Sequence, residues 1–167
     1  MEYNKTMNIL GIIVGLVIIL CIGVVIWGKG KTYTIEHSEN QELFLKGTVS
    51  KVFPDGDYVG SVSGRTTGWE GKSFDKAHNT GFNRFLENGA IVKKYPFKTY
   101  LSKGLRDPEM DVMTIDYNQP GNPWWLRYVV DEVVNTGPET YLGKMHIRLT
   151  PQLVFSAVFF TLQKSSN

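Results

Sequence analysis

The chain carries little with which to do covalent, redox or metal chemistry. One of its 167 residues is cysteine, Cys21, so no intrachain disulfide can form. Histidine occurs three times, as His37, His78 and His146, with no metal-ligand spacing between any two, so no metal site is expected. There is no Gly-x-Ser-x-Gly elbow, and the single thiol sits in an apolar run. Serine or cysteine nucleophile chemistry is thus unsupported, and no catalytic residue is assigned. Gly71-Lys72-Ser73 evokes a phosphate loop, but that pattern needs glycine at position 66, where Thr66 stands. No cofactor is expected. Surplus charge is missing as well: 18 Lys and Arg face 16 Asp and Glu, and setting aside Lys5, Lys29, Lys31 and Glu2 leaves 15 of each sign. A neutral domain lacks the field that displaces counterions from phosphates, which excludes nucleic acid as a partner.

What the chain does have is one long apolar run and many aromatic rings. Ile9 to Trp27 contains no charge, proline or strongly polar side chain. At the helical rise it spans about 28 Å, close to a bilayer's hydrocarbon thickness. Trp27 suits the headgroup interface, and Lys29 and Lys31 end the run. A cleaved secretory signal would be shorter and followed by a small-x-small site, and a lipoprotein signal would carry a small residue where Leu20 precedes Cys21. The expectation is a retained single-pass membrane anchor. Lys/Arg counting nominally places the large domain in the cytoplasm, whereas a short tail before the helix is also that of an exporting signal anchor, so both sides of the membrane stand.

Residues 28 to 45 mix charge, Gly and Ser without a period and read as a linker, ending in a short helix at Asn40 to Leu45. Beyond them the period becomes two. Tyr141, Gly143, Met145, Ile147 and Leu149 alternate with Lys144, His146 and Arg148, the pattern of a half-buried strand. Asn88-Gly89 suits a tight primed turn between antiparallel strands. Eight candidate strands emerge, near 46–53, 57–63, 67–75, 81–87, 90–101, 110–117, 140–149 and 152–163, and eight can close into a barrel without exposed edges. One segment departs from the pattern: Leu126, Val129, Val130 and Val133 recur at helical spacing, with Asn122 as cap, Pro123 at the first turn and Gly137 as stop. This predicts a helix over 122–134, with Arg127 and Asp131 paired on its outer side.

The chain thus divides into a tail (1–8), a transmembrane helix (9–27), a linker (28–45) and a β-barrel domain (46–167). Trp69, Tyr100, Tyr117, Trp124 and Trp125 carry the functional hint, because small-molecule pockets are mostly apolar and a barrel mouth is a usual place for one. Trp124 and Trp125 also suit a resting place on a bilayer. If the Lys144, His146 and Arg148 face lines the lumen, these residues suit an anionic head group, and Arg106 joins them as a polar candidate.

The segments Trp69-Glu70-Gly71-Lys72-Ser73-Phe74, Gly104-Leu105-Arg106-Asp107, Asn122-Pro123-Trp124-Trp125 and Tyr141-Leu142-Gly143-Lys144 give the chain a resemblance to a group of small membrane-anchored bacterial proteins. In outline these are similar to calycin or lipocalin-like barrels, in which a tryptophan beside a glycine near an early strand closes one end. Lipocalins show Gly-x-Trp, and this chain has Thr67-Gly68-Trp69. The resemblance spans roughly positions 46 to 163 and implies a mainly β fold: an N-terminal transmembrane helix, then an antiparallel lipocalin-like barrel with one short helix. It also implies an interior that receives an apolar or amphipathic molecule. The expected function is non-catalytic binding of a lipid-like or other hydrophobic small molecule beside the membrane. Two alternatives stand: an enzyme acting on a membrane-derived substrate through Asp75, His78, Arg106, Asp107 or His146, and a scaffold docking onto another membrane protein through its apolar last strand.

Overall fold

A computed structural model describes residues 2–49, 53–62 and 68–166. Helix α1 runs from Glu2 to Glu36. Most of its apolar side chains between Ile9 and Trp27 are exposed, on all sides of the helix, and among the described residues this is the one helix long and apolar enough to cross a membrane. The helix does not stop at the apolar boundary. It continues through Gly28 to Glu36, where a helix replaces the loose connection expected over 28–36, because these turns have a surface to lie on. Gly28 rests against the Phe155 ring, the Ser156 N–H donates to Thr32 Oγ1 at 3.0 Å, and Glu36 receives two hydrogen bonds from Arg106 at 2.6 and 2.9 Å. Ser38 breaks the helix with extended backbone angles and opens α2, Glu39–Lys46. Glu39 and Glu42 sit in the first turn of α2 and Lys46 in its last, which complements the helix dipole, while Gln41 and Phe44 form its buried side.

Eight strands follow: β1 (Gly56–Val62), β2 (Trp69–Asp75), β3 (Thr80–Glu87), β4 (Ala90–Lys103), β5 (Asp111–Asp116), β6 (Val129–Gly137), β7 (Thr140–Thr150) and β8 (Leu153–Lys164). Each pairs antiparallel with its chain neighbour, and β8 returns to β1, closing the barrel. Asn88 and Gly89 both have positive φ and join β3 to β4, as the sequence predicts.

The number of strands matches the expectation, but one member differs. Residue 46 ends α2, Thr48 makes only a lone bridge to Asn135, and residues 50–52 of the expected 46–53 strand lie outside the described residues. The eighth place is taken by β6, within the segment expected to be helical. Only Leu126–Tyr128 makes a 3₁₀ turn there. Four β-branched valines at 129, 130, 133 and 134 lose rotamer freedom in a helix and fit a pleated sheet, and a strand here also closes the ring between β5 and β7.

Strand direction gives the barrel two unlike ends. The upper end carries the connections after β1, β3, β5 and β7, and the lower end the other connections. The lower half of the lumen is filled by Tyr58, Phe74, Phe97, Tyr141 and Leu162, and the rings of Tyr58, Phe74, Phe97 and Tyr141 meet edge to face at centroid distances of 5.4 to 5.6 Å. A second apolar cluster lies outside the wall, where Ile35 and Phe44 of the two helices cover Val112, Val134, Leu142 and Phe159. Because α1 passes Phe155 before Ser156 and Arg106, it descends alongside β8, and its apolar stretch projects from the upper end.

Candidate functional site

Above the packed half the lumen is hollow. A cavity of about 550 Å³ is walled by Val62, Trp69, Phe85, Tyr95, Trp125, Leu126, Val129, Met145, Ile147, Val158 and Phe160. Its polar groups gather in one cluster, formed by Lys72, Asn83, Tyr117 and Asp131. Two irregularities in the sheet aim these side chains. In β2 the pairing shifts between Trp69 and Gly71, so Trp69 and Lys72, three residues apart, both reach the interior. Gly71 makes this possible: its φ is +118°, and a Cβ there would collide with the Tyr58 backbone. In β4 a second shift leaves Tyr95 at φ +57°, with its ring between Phe85 and Trp125.

Lys72 Nζ donates to Asp131 Oδ2 at 2.9 Å, to Asn83 Oδ1 at 3.0 Å and to the Tyr117 hydroxyl. The Tyr117 hydroxyl in turn donates to Asp131 Oδ2 at 3.0 Å, and the Trp69 indole N–H donates to Asn83 Oδ1 at 3.0 Å. Centroids of four rings, Trp69, Phe97, Tyr117 and Phe160, lie 5.1 to 5.5 Å from Nζ, within cation–π range. Burial pushes the Lys72 ammonium below the ordinary lysine value, against the pull of Asp131, and burial followed by Asp131 holds the Tyr117 phenol well above its own. The cluster has one base and one acid and is formally neutral, so it favours a polar but uncharged end on an otherwise apolar occupant. A carboxylate would face Asp131 with no unpaired cation to meet it.

A second polar cluster lies on the opposite side of the same wall. Glu132, adjacent to Asp131 on β6, points outward and meets His146 Nε2 at 3.0 Å while accepting from the Leu105 N–H. His146 Nδ1 is 3.4 Å from Ser156 Oγ. Lys144 pairs with Asp107 and donates to Gln41 Oε1 at 3.1 Å. The order Ser156, His146, Glu132 is that of a nucleophile relay, but all three residues are 0 % exposed beneath α1 and the β4–β5 loop. What this arrangement does is hold the helices to the barrel with satisfied polar groups.

Of the eight residues singled out in the sequence, Trp69, Tyr117 and Trp125 stand on the cavity wall. Trp124 is 75 % exposed at the upper end. Tyr100 is outside the barrel and donates to Asp116 Oδ2 at 3.3 Å, with Arg148 beside it. Arg106 pairs with Glu36, and His146 is buried under the helices, so the Lys144, His146 and Arg148 face is the outer wall and not the lumen. The residues of the enzyme alternative divide: Arg106, Asp107 and His146 join the outer cluster, whereas Asp75 and His78 pair at 2.7 Å on an exposed turn. Asp131 belongs to the lumen, not to a helix surface beside Arg127.

Lys72, Asn83 and Asp131 are the site residues that the sequence reading missed. Strict alternation assigns Lys72 to the face opposite Trp69, and only the bulge, signalled by Gly71, reverses that. Among the described residues no cluster of His, Cys, Asp and Glu is arranged to hold a metal. No family model matches the chain, and neither a curated protein nor a solved structure is found to match it.

Proposed function

We propose that this protein is a single-pass membrane-anchored barrel that binds a lipid-like or other hydrophobic small molecule in the upper half of its lumen, as a binder and not as a catalyst of turnover. The observation that carries the reading is the apolar cavity of about 550 Å³ with all its polar groups in one neutral cluster, the makeup of a site for a small amphipathic molecule. The path of α1 supports it. The apolar stretch leaves the barrel at the hollow end, and the same end exposes Leu86, Ile91, Trp124, Trp125 and Tyr128. A bilayer crossed by α1 would lie beside that rim, where tryptophan and tyrosine partition well and where apolar ligands are concentrated. The closed eight-stranded antiparallel architecture is also the one that the calycin resemblance implies.

The test is a titration of the full chain in lipid nanodiscs with 1-dodecanol, followed by tryptophan emission, together with native mass spectrometry of co-purified lipid. Val158→Phe fills part of the cavity at a stability cost of about 1–3 kcal/mol. The expected result is saturable binding that this variant weakens about tenfold or more while the circular dichroism is retained. Equal affinity in both proteins would place the probe outside the lumen and overturn the reading.

A further inference from the structure

The Lys72 cluster has chemistry that simple solvation of a ligand does not use. An amine at an apolar cavity, desolvated and bonded to a carboxylate, is the arrangement in which lysine acts as a nucleophile toward carbonyl compounds. Lys72 is the one amine on the cavity wall among the described residues, and its Nζ lies within hydrogen-bond reach of both a carboxylate and a phenol. Asn83 receives its bonds on Oδ1. Its amide nitrogen donates to none of the described residues and is open to the cavity, where it serves as a donor to an incoming oxygen.

We infer that Lys72 captures a hydrophobic aldehyde or ketone as an imine inside the barrel. The inference rests on the lumen being the binding site and names the chemical class of its occupant. The ammonium of Lys72 first passes a proton to Asp131 Oδ2, 2.9 Å away, leaving a neutral amine beside a carboxylic acid. The Nζ lone pair then forms a bond to the carbonyl carbon. The π electrons move to the carbonyl oxygen, which accepts the Asn83 amide donor and takes the proton from Asp131. A second proton leaves nitrogen for the hydroxyl, the C–O bond breaks, and water departs. The product is a protonated imine beside ionised Asp131. One ammonium and one carbonyl become one iminium and one water, with charge unchanged and no oxidant or reductant consumed. Asp131 serves first as proton acceptor and then as counterion, and the surrounding rings stabilise the cation at both stages. Burial lowers the basicity of Lys72, which favours the neutral amine over the ammonium.

The test uses the full chain in nanodiscs, dodecanal as probe, cyanoborohydride to reduce any imine to a stable amine, and peptide mapping of the adduct. The expected result is alkylation at Lys72 exceeding that at exposed lysines such as Lys93 and Lys103 by about tenfold or more. Excess 1-dodecanol, which has no carbonyl, should protect Lys72. Val158→Phe, with the lysine intact, should lower the Lys72 adduct selectively. Labelling spread evenly over surface lysines, or absent from Lys72 while 1-dodecanol still binds and is displaced by dodecanal, overturns the imine and leaves the lumen reading standing. Failure of 1-dodecanol and dodecanal alike to bind overturns both.

Discussion

The two halves of the barrel are built from the same strands and filled in opposite ways. Below, Tyr58, Phe74, Phe97 and Tyr141 interlock, and a strand there contributes by burying rings. Above, Val129, Met145, Ile147 and Val158 line the wall together with rings such as Trp69 and Trp125, and the space they enclose is open. Stability and capacity are thereby separated along one axis: the lower half holds the cylinder together, and the upper half is free to be hollow. At the boundary sits a buried ion pair, which contributes little net stability compared with apolar side chains of equal volume.

The contrast is broken most strongly from below. Phe97→Ala should cost about 3–5 kcal/mol in chemical denaturation, since the packed half cannot collapse around the loss. Val158→Ala, at a wall that already faces empty space, should cost about 1 kcal/mol or less. Comparable losses would mean that the hollow half is as tightly packed as the other.

At the boundary, Lys72→Met strands Asp131 and should destabilise by about 3–5 kcal/mol, whereas the double change Lys72→Met with Asp131→Leu should recover most of that loss. A double variant as unstable as the single one would show that the cost comes from shape and not from charge.

Titration sharpens the same point. Burial holds native Lys72 below the unfolded value of 10.5, so between the native value and 10.5 the unfolded chain binds more protons. Stability should therefore rise with pH through that window and lose this contribution below it. Above about 10 the raised Tyr58 and Tyr117 phenols act in the opposite direction, because the unfolded chain then loses protons that the native state keeps. Denaturation measured through the alkaline range up to pH 10.5 should show a steeper rise in the natural chain than in the double variant, which keeps both tyrosines. Parallel profiles would remove Lys72 as its source.

The smallest effect is expected outside the wall. Glu36→Gln weakens the partly exposed pair with Arg106, worth about 0.5–1 kcal/mol, and should speed hydrogen exchange in the last turns of α1 while leaving that of β3 unchanged.

How much of this was legible in the sequence depended on whether local pattern and global fold agreed. The period-two stretch over β7, the turn at Asn88-Gly89 and the apolar run of α1 are local signals that nothing overrides, and from them an eight-stranded barrel with one N-terminal apolar helix follows. Of the site, Trp69, Tyr117 and Trp125 were readable as aromatic candidates for an apolar pocket at a barrel mouth. The polar cluster was not. Leu126, Val129, Val130 and Val133 fit two periods at once, and the helical choice placed Asp131 on the outer surface beside Arg127, whereas a strand sends Asp131 into the lumen and Glu132 to the opposite side of the wall. Lys72 was hidden by the bulge, since a single extra residue reverses the face of everything after it. The burial of Lys144 and His146 depends on α1 and α2 folding back over the sheet, a contact between segments about a hundred residues apart that no periodicity announces.

The continuity of α1 has a mechanical corollary. A flexible hinge would let the cylinder tumble and present its hollow end at random, but here the rod runs unbroken from its greasy portion onto the flank of β8. Turning the cylinder means snapping helical hydrogen bonds or peeling Thr32 and Glu36 away from their seats. Whatever grips the first stretch of the rod therefore also dictates which way the mouth looks.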